Sequence, residues 1–179
     1  MTGDVNNPFK TLLEWFSLAK AEEKMKEHPA MTLTTVNPKT LQPTIRYVIM
    51  TELSQQKGIC FFTNIQSKKA LEIGQNSRVS TEFFWPSLKR GIFIQGRAFR
   101  ATEEEDTHFF VNRPIKSQLG FSVPRQTQVI TEHQKREMVS KIEQKPQKLL
   151  KNSKICSFLM IFLDGENEEY RRRIEERGV

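Results

Sequence analysis

Between Met31 and Arg100 the chain carries five runs rich in β-branched and aromatic residues: Met31 to Val36, Ile45 to Leu53, Ile59 to Thr63, Arg78 to Phe84 and Gly91 to Arg100. The turn-prone segments NPKTLQP, SQQKG and WPSLKR join the first to the second, the second to the third and the fourth to the fifth. Connections this short suit antiparallel hairpins. The last run alternates cleanly, with Ile92, Ile94 and Gly96 on one face and Phe93, Gln95 and Arg97 on the other. A further strand, Cys156 to Leu163, is apolar on both faces and ends at the turn Asp164-Gly165. Rossmann-type alternation is absent. The expected fold is therefore mainly β with peripheral helices, an antiparallel barrel or sheet with the helices packed outside it.

The helices are read from spacing and end signals. Within residues 1–28, Pro8 to about Glu27 forms an amphipathic helix with Phe9, Leu12, Leu13, Phe16 and Ala19 on its core face, ended by His28-Pro29. Thr102 followed by Glu103, Glu104 and Glu105 starts another that runs to about Asn112, before Arg113-Pro114 breaks it. Ile115 to about Phe121 suits one more helical turn, and Glu132 to about Glu143 a polar surface helix. The final segment, residues 164–179, is charged and shows no decided period.

At 179 residues, with 37% hydrophobic and 27% charged, the chain suits one soluble domain over 1–179. No apolar run is long enough to cross a bilayer, and MTGDVNNPFK lacks the features of a secretory signal. Cys60 and Cys156 lie in apolar runs, as reduced core thiols of a cytoplasmic protein do. His28, His108 and His133 are scattered and offer no zinc spacing, so no metal site is expected. A net charge of +7 admits either a nucleic acid or an anionic small molecule. The positive residues are spread along the chain, which leaves a basic nucleic-acid-binding β-barrel as a remote alternative.

One stretch carries a chemical suggestion of its own. In FFTNIQSKKAL, residues 61–71, an apolar run ends in a polar turn and a helix begins with Ser67, Lys68 and Lys69. A serine cap, the free N–H groups of a first turn and two ammonium groups favour a phosphate dianion. A capped surface helix with a solvated basic turn accounts for the same residues and, on local evidence, is preferred. Against it stands the fact that cations at a helix N-terminus are unfavourable unless something negative sits there.

Six collinear pieces, NPFKTLLEWFSLA, AMTLTTV, PTIRYVIM, GICFFTNIQSKKALEI, NSRVSTEFFWPSLKR and HFFVNRPIKSQLG, resemble the pyridoxamine 5'-phosphate oxidase family over nearly the whole chain. The patterns NRPxxSQxG and FFTNxxSKKA are the most discriminating. The resemblance implies an FMN-binding split β-barrel, a homodimer with flavin at its interface, and oxidation of pyridoxamine or pyridoxine 5'-phosphate to pyridoxal 5'-phosphate. Neither a nucleic acid nor a membrane partner is expected. The cofactor carries most of that chemistry, which fits the lack of any catalytic nucleophile or acid/base pair in the sequence. By resemblance, Arg46, Ser67, Lys68 and Lys69 hold the FMN phosphate, Thr63, Gln126 and Arg173 contact the flavin, and Arg113 and Ser117 grip the substrate phosphate.

The departures from the family pattern gather on the substrate side. Thr51 stands where a lysine reaches substrate phosphate, and Phe109 where a tyrosine does. Leu163 replaces a tryptophan beside the flavin, and Glu169 and Arg171 occupy the arginine and histidine positions of an R-x-H-x-R pattern. Phe62 and Gly91 replace a tyrosine and a glutamine on the flavin side. These changes keep open a second expectation, a divergent FMN-binding homologue that has lost this reaction and either takes another substrate or only binds flavin.

Overall fold

In a computed structural model of the chain, the described residues are 8–22, 29–112, 131–134, 136, 137, 140 and 156–163. The hairpin-spaced runs become strands β1 (Ala30–Val36), β2 (Pro43–Ser54), β3 (Gly58–Asn64), β4 (Arg78–Trp85) and β5 (Arg90–Arg100), and the distant apolar run becomes β6 (Cys156–Leu163). Gly58, at φ 66°, supplies the left-handed residue that the short β2–β3 turn requires.

The six strands close into an antiparallel barrel in the order β1-β2-β3-β6-β5-β4. β6 completes it by inserting between β3 and β5, with Cys60 opposite Met160 and Ala98 opposite Ile161. Its apolar character on both faces follows from that place. Leu159, Met160 and Ile161 are consecutive and all buried, as are all seven residues of β3. β1 and β4 instead alternate, with Met31, Leu33, Val79, Thr81 and Phe83 pointing inward.

Helices flank the strands, and residues 132–134, 136, 137 and 140 are helical as well. In α1 (Pro8–Ala21) Phe9, Leu12 and Ala19 are buried, and Phe16 meets Phe83 and Trp85 edge-on at centroid distances of 6.3 and 6.4 Å. Leu13, expected on the same face, lies at its exposed edge. Residues 23–28 lie outside the described set, so the far end of this helix is not placed. α3 (Glu103–Val111) begins in a capping box, with Thr102 accepting from the Glu105 backbone and the Glu105 side chain accepting from that of Thr102. α2 (Lys68–Gln75) follows β3, and its first turn holds no acidic residue. Among the described residues no helix is long and apolar enough to cross a membrane.

Candidate functional site

The N-terminus of α2 is built as the sequence leads one to expect and then adds a residue that was not foreseen. Ser67 caps the helix, its hydroxyl accepting from the Ala70 N–H, and lies 3.4 Å from the Thr63 hydroxyl near the end of β3. Lys68 and Lys69 open the first turn. One turn on, Glu72 points back beneath them, 4% exposed.

Glu72 draws two strands to the helix. Its Oε2 accepts from the Thr35 hydroxyl at 2.5 Å and the Thr44 hydroxyl at 2.9 Å, and Arg46 Nη2 lies 3.5 Å away. Both threonines relay the contact, since Arg46 Nη1 donates to Thr35 Oγ1 at 2.7 Å and Nη2 to Thr44 Oγ1 at 2.6 Å. A third bond, from Nη1 to the Leu33 carbonyl at 2.9 Å, fixes the guanidinium plane. Glu72 Oε1 is buried without a hydrogen bond, and Lys68 Nζ is 3.8 Å from it.

The charges here are mutually dependent. Burial alone would raise the Glu72 carboxyl, but hydrogen bonds from Thr35 and Thr44 and the positive charges of Lys68 and Arg46 outweigh it and hold the group below its usual range. Lys69 is shifted down by burial and by the neighbouring Arg46 charge. Burial also lowers Arg46, with Glu72 opposing the shift. Arg46, Lys68 and Lys69 against one carboxylate leave two net positive charges, the complement of a phosphate dianion. The donor set, a serine cap and three cations at a helix N-terminus, also fits such a group.

Of the residues assigned to flavin and substrate by resemblance, Arg46, Thr63, Ser67, Lys68 and Lys69 are thus brought into one place. Gln126, Arg173, Arg113 and Ser117 lie outside the described residues, as do Glu169 and Arg171. Three of the departures have definite local settings. Thr51 sits where the β2–β3 register shifts between Met50 and Glu52, and its hydroxyl donates to the Cys60 carbonyl at 3.2 Å. Phe62 and Phe109, each at a position where the resemblance leads one to expect a tyrosine, stack on one another with centroids 5.5 Å apart, and Phe110 stacks on Phe62 at 6.1 Å. The three rings form one continuous aromatic wall.

The family model described as "Pyridoxamine 5'-phosphate oxidase" matches residues 18–151. The chain belongs to the pyridoxamine 5'-phosphate oxidase family. A pyridoxine/pyridoxamine 5'-phosphate oxidase of Crocosphaera subtropica is 38% identical over 133 residues, 74% of this chain and 61% of that protein. One of Haemophilus ducreyi is 37% identical over 136 residues, 76% and 62% of the two chains. The matched stretch thus spans about three fifths of the length of these relatives. Among solved structures, PhzG of Burkholderia lata, crystallised with tetrahydrophenazine-1-carboxylic acid, superposes at TM-score 0.75 and 17% identity, covering 87% of this chain and 76% of that one. A pyridoxamine 5'-phosphate oxidase-related, FMN-binding protein of Nostoc punctiforme gives 0.73 and 13%, covering 91% and 83%. At these identities the two structures establish the shared fold.

Proposed function

We propose that the chain binds FMN and oxidises pyridoxamine or pyridoxine 5'-phosphate to pyridoxal 5'-phosphate. The observation that supports this most is the ion pairing of Arg46 and Lys68 with the buried Glu72 beside Ser67 and Lys69 at the start of α2, in a chain of this family. Arg46, Ser67, Lys68 and Lys69 hold the flavin phosphate, while Thr63, Gln126 and Arg173 contact the flavin. Arg113 and Ser117 take the substrate phosphate. FMN, when bound, supplies the hydride acceptor; the protein's part is to bind and orient both phosphorylated molecules.

The second partner is another copy of the chain. Tyr47, Thr32, Glu82 and Phe93 are successive cross-strand partners over β2, β1, β4 and β5, so they share one outer row of the sheet. Ile45, Ile49 and Phe84 flank that row, and all five large side chains are exposed, Tyr47 by 79% and Phe93 by 80%. A group of exposed large apolar side chains of this kind suits a homodimer interface.

A second reading rests on Thr51, Phe62 and Phe109: a family member whose pocket has exchanged phosphate donors for an aromatic wall and takes a less polar substrate, or binds flavin without this turnover. Incubating the FMN-loaded protein with pyridoxamine 5'-phosphate in air separates the two. Pyridoxal 5'-phosphate and peroxide appearing together above a protein-free control support the oxidase; flavin binding without turnover supports the second reading.

A further inference from the structure

Along the face of α2 that carries Ala70, Ile73 and Gly74, a half-open cleft of about 670 Å³ runs from Ile65 past the helix to β5. Its buried floor includes Ile73 and Leu159, and its lining also includes Arg78, Arg97 and Arg100. Arg78 and Arg97 are direct partners across β4 and β5 and face outward together. Like charges so placed destabilise a sheet unless an anion lies against them. Among the described residues neither guanidinium has an acidic partner, whereas Arg100 lies 3.4 Å from Asp106 of α3. The walls are tied together by backbone bonds: Ala98 N–H donates to the Ser77 carbonyl at 2.8 Å, and Arg78 N–H to Asn76 Oδ1 at 3.1 Å.

We infer that this cleft is a second anion site, separate from the α2 cradle, and that it takes a phosphate monoester with an apolar body. The two arginines, without an acidic partner among the described residues, match a dianionic head, with the fork of each guanidinium suited to phosphate oxygens. The apolar floor and the volume call for more than a free phosphate ion, because a cavity of this size holds a small organic molecule. Gly74 lines the same cleft, and a Cβ added there meets nothing within 4 Å, so a large side chain at this position would fill the space without a clash at its base.

The test is calorimetric titration of the full chain with 1-naphthyl phosphate, with and without saturating FMN, beside 1-naphthol and inorganic phosphate. The expected result is one ester bound per chain, at least about tenfold more tightly than either fragment, with affinity falling at least about tenfold in both Arg97→Ala and Gly74→Phe. Thermal melts accompany each variant, and Arg97→Gln replaces Arg97→Ala if the latter melts lower than the parent. Unchanged affinity in either cleft variant, no binding at millimolar ester, or loss of binding in Lys69→Glu would overturn the assignment. The last result would place the ester in the cradle instead. The titration without FMN keeps the cleft testable even if flavin uptake fails.

Discussion

Glu72 sits under the first turn of α2 with the hydroxyls of Thr35 and Thr44 and the guanidinium of Arg46 directed at one of its oxygens. Replacing it with glutamine keeps the shape but leaves Arg46 without its counter-charge. Glu72→Gln should lower stability by about 2 kcal/mol at neutral pH, the size of a lost charged hydrogen bond in a buried setting. The folded carboxyl is held below its usual range, so this contribution is complete above the unfolded carboxyl value near pH ~4.3 and is lost as pH falls through the lower folded value. Thermal melts of parent and variant should therefore differ most at pH 7 and draw together as the pH falls through the lowered carboxyl value; a gap independent of pH would count against a charged Glu72. The Lys68 to Glu72 spacing is visible in sequence as an i,i+4 pair, the usual mark of a solvated helix face. That Thr35, Thr44 and Arg46 arrive from two other strands is set by barrel closure, which local spacing does not carry.

At the scale of elements, α2 and α3 begin with the same kind of cap and opposite charge. Thr102 is followed by Glu103, Glu104, Glu105 and Asp106, whereas Ser67 is followed by Lys68 and Lys69. Both starts were legible, because a capping side chain and the charge of the first turn are local signals. Ser67→Ala should cost about 1 kcal/mol through the lost cap and should also weaken FMN. Chemical denaturation checks the first effect and flavin titration the second; lost stability with unaltered flavin affinity would make Ser67 a cap alone. The hairpins β1–β2, β2–β3 and β4–β5 were legible for a similar reason, through their turns. Less visible were the bulge at Thr51 and the burial of β3 on both faces, the latter depending on β6 and α3 arriving from elsewhere in the chain.

For the whole molecule, closure depends on β6, a strand dozens of residues removed from β5 in sequence and set between β3 and β5 in space. Its apolar character on both faces announced a central strand without naming its neighbours. The outer row of Tyr47 and Phe93 was likewise readable as two strands, the second of them alternating, but not as one face, because their adjacency depends on β1 and β4 lying between them. If that face joins two copies, Tyr47→Glu should convert a dimer to a monomer in light scattering while the circular dichroism spectrum is preserved; a dimer that survives the charge would place the interface elsewhere.

The most direct measurement of the proposed cradle is a fluorescence titration of FMN into the flavin-free chain and into Lys69→Glu, with absorption spectra recorded alongside. The expected result is saturable uptake by the parent, with quenched and shifted flavin bands, and affinity lower by at least about tenfold in the charge-reversed variant. No uptake by a folded parent, or equal affinity in the two proteins, would contradict a flavin phosphate held by Arg46, Ser67, Lys68 and Lys69.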